Sequence, residues 1–140
     1  MSRIGRRIAF DYGDVRIGAA VCDPDGILAT PLTTLQSKDP QLKKQIAKLI
    51  DEYEPTKFYV GQPKLLSGAD GSAVAKVLVF TEMLTSNFDI PVVLVDERLS
   101  TVSAAKQLRE SGVNAKDARS VIDAAAAVAI LEQGLANERK

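Results

Sequence analysis

Histidine is absent from this 140-residue sequence, and its absence excludes several kinds of catalytic site. Without imidazole the chain cannot form a Ser-His-Asp or Cys-His arrangement, and it lacks a principal zinc ligand. Any acid–base or metal chemistry would therefore depend on carboxylates, amines, guanidinium groups and hydroxyls. Carboxylate oxygens are hard ligands, and they suit Mg²⁺ or Mn²⁺.

Cysteine and long apolar stretches are also scarce. The single cysteine, Cys22, cannot form an intramolecular disulfide, which agrees with a reducing compartment. No apolar run approaches the roughly 20 residues that span a bilayer, and no signal-peptide core follows the basic N-terminus. We therefore expect a cytoplasmic protein without membrane contact. Its length predicts one domain, residues 1–140, that buries roughly two-thirds of its unfolded surface.

The net charge is zero, because 18 basic residues balance 18 acidic ones. This balance neither supports nor excludes a nucleic-acid partner, since segregated charges can still form a basic face. Basic residues cluster early and late in the chain, at Arg3, Arg6, Arg7, Arg16, Lys106, Arg109, Lys116 and Arg119. Either cluster alone could equally be ordinary solvated surface.

Hydrophobic spacing predicts the element order βββ-α-β-α-β-α-α. The predicted strands are residues 7–12, 17–22, 27–35, 58–60 and 92–95, and the predicted helices are residues 40–53, 72–84, 100–110 and 117–133. Short turns would join the first three strands as an antiparallel meander, with Pro31 marking an irregularity. The later alternation of helix and strand favours an α/β fold with a mixed sheet and helices on its faces.

Three carboxylates end or interrupt apolar segments: Asp11, Glu97 and Asp123. Asp11 could instead serve the following turn, and Glu97 could favour the N-terminus of the next helix. Asp123 is harder to explain in this way, because Ala127 and Ile130 lie at its i+4 and i+7 positions on an apolar helix face. If the fold brings the three acids together, a divalent metal would neutralise their repulsion, and metal-dependent phosphodiester chemistry becomes the hypothesis to test.

Five segments, in order, carry a resemblance to a known family. They are Ala9-Phe10-Asp11-Tyr12-Gly13, Ile17-Gly18-Ala19-Ala20, Gly61-Gln62-Pro63, Asp96-Glu97-Arg98-Leu99-Ser100-Thr101 and Val121-Ile122-Asp123-Ala124-Ala125-Ala126. The chain resembles, from end to end, the YqgF/RuvX family of RuvC-like nucleases, described as pre-16S rRNA nucleases or Holliday junction resolvases. The resemblance implies an RNase H-like fold and an Asp-Glu-Asp metal site, which maps onto Asp11, Glu97 and Asp123.

The mechanism that this resemblance implies is two-metal hydrolysis. The three carboxylates would hold two Mg²⁺ or Mn²⁺ ions about 3.5–4 Å apart, one activating water and the other stabilising the leaving 3′ oxygen. A glycine-rich loop predicted at residues 61–71 would pass near the scissile phosphate, although it could be a plain connection. The expected substrate contacts are Gly61, Pro63, Lys64, Arg98, Thr101 and Arg119. Arg98 could instead pair with Asp96.

Three functions fit the sequence. The favoured one is hydrolysis of RNA in the 5′-end maturation of pre-16S rRNA, a step of ribosome biogenesis, and it rests on the resemblance alone. A Holliday junction resolvase acting on branched DNA would share the chemistry but would need a homodimer to place two sites symmetrically. The third is a catalytically inert nucleic-acid-binding or scaffold protein. The sequence does not choose between monomer and homodimer.

Overall fold

The chain forms one mixed sheet with helices on both faces. The computed structural model describes residues 5–13, 15–62, 72–96 and 115–138, with side chains throughout except at 72–73 and 115–123. The strands are β1 (Arg7–Tyr12), β2 (Arg16–Cys22), β3 (Ala29–Gln36), β4 (Lys57–Gln62) and β5 (Val92–Asp96), and the helices are α1 (Leu42–Tyr53), α2 (Ser72–Asn87) and α3 (Ala115–Glu138). The helix predicted at residues 100–110 lies outside the described residues.

The strand order is β3-β2-β1-β4-β5. β2 is antiparallel to both β1 and β3, which confirms the predicted meander, and β4 and β5 run parallel to β1. It follows that β1, β3, β4 and β5 all end on the same side of the sheet. We call this side the carboxyl edge. Sites in α/β sheets gather beyond such strand ends.

The predicted helices differ from the observed ones by two to five residues at one or both ends, and two predicted strand boundaries are wrong for local reasons. Ile27 and Leu28 precede β3, because their backbone N–H groups donate to Asp23 Oδ1 at 2.6 and 3.1 Å and so form a turn. Gly61 and Gln62 belong to β4 and not to the predicted loop, because both are paired with β5.

The irregularity predicted at Pro31 is confirmed. Ala19 pairs with Thr33 while Ala20 pairs with Pro31, so Leu32 is an extra residue on β3. Proline has no backbone N–H to donate, and it is tolerated in edge strands and bulges. β3 is an edge strand, so the bulge costs little free energy of folding there.

Two apolar cores form because successive side chains of a strand point to opposite faces of the sheet. On one face α1 and α2 cover Phe10 and Phe58, and α2 contributes Phe80. The ring centroids lie 5.3 Å (Phe10–Phe58) and 5.6 Å (Phe10–Phe80) apart. On the other face α3 contributes smaller residues, among them Ala126 and Ala127, which are fully buried. These alanines let α3 lie close to the sheet. None of the described helices is long and apolar enough to span a membrane.

Glu138 anchors the end of α3 to the sheet. Arg7 donates from Nε and Nη2 to the two carboxylate oxygens at 3.2 and 3.1 Å, and Lys57 Nζ and the Tyr59 hydroxyl also donate to this carboxylate. Arg7 and Lys57 are the first residues of β1 and β4. The last turn of α3 therefore lies at the opposite side of the sheet from the carboxyl edge, and the helix begins toward that edge.

We expect Glu138→Gln to lower the free energy of unfolding by about 1–2 kcal/mol at neutral pH, after allowance for the partial exposure of this carboxylate. Burial raises the pKa of Glu138, but the hydrogen bonds from Arg7, Lys57 and Tyr59 outweigh it and lower the pKa to about 2. A lowered carboxyl pKa stabilises the fold above the unfolded value, and this contribution is lost as pH falls from that value toward 2.

Urea denaturation of both proteins, at about pH 7 and about pH 3, measures this contribution. The difference in stability between parent and variant should shrink by more than half at the lower pH. A difference that does not change with pH would contradict the assignment.

Candidate functional site

Asp11 is the one acid among the described residues that is buried, with 7 % of its surface exposed. It lies on β1 one residue before the strand ends at the carboxyl edge. Ala9, two residues earlier, belongs to the core under α3, so strand alternation directs Asp11 to the same face. Asp11 is therefore a strand residue and not part of the turn, as predicted. A carboxylate in such a place is costly unless charges or hydrogen-bond donors compensate it.

Glycine flanks Asp11 on both neighbouring strands. On β2 the partner of Asp11 is Gly18. On β4, Phe10 pairs with Val60, so Gly61 lies beside Asp11 at the next position of the parallel register. Neither glycine carries a side chain, which leaves room for a ligand or a phosphate group to approach the Asp11 carboxylate closely.

The row that contains Asp11 crosses the whole sheet. From β3 to β5 it consists of Thr34, Gly18, Asp11, Gly61 and Val95. We call it the Asp11 row. Its ends carry a hydroxyl at Thr34 and a buried apolar side chain at Val95, and its centre has only the one carboxylate.

The first half of α3 approaches this row. Ala124 and Val128 line, with Thr33 and Thr34, a cleft of about 520 Å³ between α3 and β3. Since Thr34 belongs to the Asp11 row, the helical turn that follows Asp123 lines a cleft that extends along β3 as far as this row. The backbone at Asp123 and Arg119 belongs to α3, and their side chains lie outside the described residues.

The remaining predicted site residues lie outside the described part of the chain: Pro63, Lys64, Glu97, Arg98 and Thr101. β5 ends at Asp96, directly before Glu97, and Asp96 pairs with Gln62 at the carboxyl edge. Within the described residues no group of three potential metal ligands occurs. Asp11 is the only one of the three predicted ligands whose side chain is described.

The sequence analysis did not identify Gly18 and Thr34 as members of the row that contains Asp11. A signal was present, because the short turn after β1 pairs Tyr12 with Ile17 and so Asp11 with Gly18. Gly13 helps to fix that register, since a Cβ there would lie 2.7 Å from the Arg16 carbonyl oxygen. Counting back from the turn could have found Gly18, whereas Thr34 depends on the bulge in β3.

Comparison with known proteins identifies the family. A family model described as "RuvX: Holliday junction resolvase" matches residues 5–137. The chain belongs to the RuvX family. A protein of Streptomyces coelicolor named "Putative pre-16S rRNA nuclease" is 53% identical over 139 residues, which cover 98% of this chain and 83% of that protein. A Rhodococcus opacus protein of the same name is 52% identical over 142 residues, covering 96% of this chain and 79% of its own length.

The fold of this RuvX family chain has a solved counterpart. RuvC of T. thermophilus, in complex with a Holliday junction substrate, matches with a TM-score of 0.60 over 96% of both chains, at 14% identity. At that identity the likeness concerns the fold. It confirms the predicted RNase H-like α/β architecture, and the family match confirms the resemblance seen in the sequence motifs.

Proposed function

We propose that this RuvX family protein is a nuclease that hydrolyses phosphodiester bonds of RNA at the carboxyl edge of its sheet. The observation that carries the proposal is the buried carboxylate of Asp11, held on a strand between two glycines. The names of the relatives support the 5′-end maturation of pre-16S rRNA as the reaction. Such a role would place the protein in the cytoplasm.

A divalent cation fits the chemistry of the Asp11 position. A buried carboxylate supplies hard oxygen ligands, and the missing side chains at Gly18 and Gly61 leave space beside it. We infer that Asp11, Glu97 and Asp123 together hold two Mg²⁺ or Mn²⁺ ions. When bound, these ions would supply an activated water and stabilise the leaving oxygen.

Two features support the convergence of the three acids. β5 ends at Asp96 on the carboxyl edge, two strands from β1, and Glu97 is the next residue in the sequence. The anchor at Glu138 directs the beginning of α3 toward the same edge, and the turn after Asp123 lines the cleft that reaches Thr34 of the Asp11 row. Fully buried Ala126 and Ala127 lie one turn after Asp123, so helical periodicity predicts that position 123 shares their sheet-facing side.

In this proposal Asp11 is a rigidly placed metal ligand, and other residues contact the phosphate groups of the substrate. Asp11 lies on a strand that is paired with β2 and with β4, so the backbone that carries its carboxylate is fixed before the substrate binds. Gly61 would let the phosphate backbone approach β4 closely. We propose that phosphate contacts come from Pro63, Lys64, Arg98, Thr101 and Arg119. No step requires a side-chain nucleophile, which agrees with the absence of histidine.

Cleavage is expected to require Mg²⁺ or Mn²⁺ and to stop when EDTA is in excess, because in this proposal the activated water comes from the metal ions that Asp11, Glu97 and Asp123 would hold. The assay offers the purified protein an end-labelled RNA that carries the 5′ extension of pre-16S rRNA, with and without each metal. Cleavage that persists in excess EDTA would contradict metal dependence. Binding without cleavage under every metal condition would favour the inert binding protein.

A junction resolvase is the second candidate, favoured by the description of the matching family model. It would incise a four-way DNA junction at two symmetric positions and therefore act as a dimer. The same assay with synthetic junctions tests the substrate, and light scattering measures the mass in solution. A strict monomer that cleaves the RNA and leaves junctions intact would exclude this candidate.

A further inference from the structure

Four exposed lysines follow β3 within a short stretch of chain. Lys38 lies in the loop after β3, and Lys43, Lys44 and Lys48 lie in the first half of α1. Residues 42–50 contain no acid. We call these four side chains the α1 lysine surface. It forms a concentrated positive patch on a chain whose net charge is zero.

The α1 lysine surface begins at the carboxyl edge. The Ser37 hydroxyl donates to the Gly13 carbonyl at 2.5 Å, and Ser37 N–H donates to the Val15 carbonyl at 2.9 Å. These bonds tie the loop that carries Lys38 to the turn directly after β1, close to Asp11. Because α1 starts at Leu42, its lysines extend from this edge along the outside of the sheet.

The charges of α1 oppose the helix dipole. A helix N-terminus carries partial positive charge and favours acids, whereas a C-terminus favours bases. α1 has no acid in its first turn and no base in its last turn, and Asp51 and Glu52 lie near its end. The nearest acid before the helix, Asp39, accepts a hydrogen bond from Gln41 N–H.

These lysines have no role in the described fold that would explain their position. Within the described part of the chain, none of the four makes an ion pair. Since the arrangement does not stabilise the helix, a partner of opposite charge gives the most direct reason for it.

A groove between α1 and β3 links the α1 lysine surface to the β3 end of the Asp11 row. Lys48, Gln45 and, at its far end along α1, the acid Glu52 line it from α1, and Gln36 and Thr34 line it from β3, around a volume of about 410 Å³. Thr34 is also the β3 member of the Asp11 row. Lys44 and Lys48 lie four residues apart and so occupy neighbouring positions on one helix face. Asp11 faces α3 and the lysines lie on the side of α1, so a polymer held at Asp11 would reach these lysines by passing around the edge strand β3 at Thr34.

We propose that the α1 lysine surface binds the phosphate backbone of the nucleic acid that flanks the scissile bond on the β3 side. This inference rests on the proposed nuclease function. Lysine side chains would act as point charges that position the strand without reading its sequence. Binding would release condensed counterions, so its strength must fall with added salt.

The test compares a Gln variant, K43Q/K44Q/K48Q, with an Arg variant, K43R/K44R/K48R, which keeps the charge. Fluorescence anisotropy measures the binding of labelled precursor RNA in EDTA over a range of salt concentrations. We expect the Gln variant to bind at least about tenfold more weakly at low salt, with a salt slope reduced by about 2, since each phosphate contact contributes about 0.7. The Arg variant should bind like the parent.

Thermal unfolding provides the second readout. The Gln variant should melt at the same temperature as the parent or higher, because it removes cations from a helix N-terminus. A lowered melting temperature would overturn the electrostatic argument, and a parental affinity and salt slope would overturn the proposal.

Different experimental results would reject the nuclease proposal and the lysine-surface proposal. Metal-dependent cleavage by the parent together with unchanged RNA binding by the Gln variant would reject only the lysine surface. Lysine-dependent binding by a parent protein that never cleaves would reject only the nuclease.

Discussion

Asp11→Asn is expected to abolish metal-dependent RNA cleavage, with a loss of at least about a hundredfold, while the fold stays intact. Asparagine keeps the size of the side chain and removes its charge, so it weakens the attraction for a divalent cation. Even groups that only orient a metal ligand contribute about 10–100-fold to affinity or activity, and a ligand should contribute no less. The backbone should not change, because Asp11 pairs with Gly18 and its strand β1 is also paired with β4.

Single-turnover cleavage measures the loss, and two further readouts locate its cause. Mn²⁺ should raise the melting temperature of the parent by mass action, and it should raise that of Asp11→Asn much less. Circular dichroism should be the same for both proteins. The matched control is Asp89→Asn, at an exposed acid just before β5 begins, on the side of the sheet opposite the carboxyl edge. Undiminished cleavage by Asp11→Asn would refute the assignment of the site.

Gly134→Val is expected to lower the free energy of unfolding by about 3 kcal/mol, the largest stability effect that we predict for a single substitution. A Cβ at position 134 would lie 2.8 Å from two ring carbons of Tyr59. That ring is 1 % exposed, and its hydroxyl donates to Glu138, so it cannot move aside without losing packing and a hydrogen bond. Glycine within a helix costs about 1 kcal/mol relative to alanine, and the close approach of α3 to β4 explains its presence here.

Ala136→Val provides the control, because residue 136 lies on the exposed side of the same helix. It should cost only the lower helix propensity of valine, about 0.5 kcal/mol. Gly134→Ala should fall between the two, since its gain in propensity opposes the contact with the ring. Urea denaturation measures all three, and equal stability of Gly134→Val and Ala136→Val would show that the ring does adapt.

Local sequence patterns predicted the strands and helices well, because each strand or helix depends mainly on residues that are close together in the chain. The turns after β1 and β2 implied the meander, and strand alternation put Asp11 on a strand and not in the turn. The position of Gly61 beside Asp11 could not be predicted in this way. It depends on β4 pairing in parallel with β1, and a parallel pair is set by packing between distant segments.

Two other features, the position of the α1 lysines and the anchor at Glu138, also depend on contacts between segments that are distant in the sequence. The lysines of α1 lie on the exposed side of the helix, as its hydrophobic spacing would suggest, and only the placement of that helix at the carboxyl edge suggests a second role. Glu138 lies beyond the predicted end of the last helix, and its partners Arg7 and Tyr59 come from distant strands. Spacing along the chain carries no information about such a contact. The predicted roles of Glu97 and Asp123 stay predictions.

The bond between Arg7 and Glu138 has a consequence for the order of folding. It joins residues that are 131 positions apart, and α3 covers one whole face of the sheet. Contacts of such long sequence separation carry a high entropic cost and tend to form late. The core under α1 and α2 can therefore assemble while Asp11 still faces water. On this view the candidate site gains its low-dielectric surroundings only in the last step of folding, so a partly folded chain would hold the carboxylate of Asp11 without the enclosure that its proposed chemistry requires.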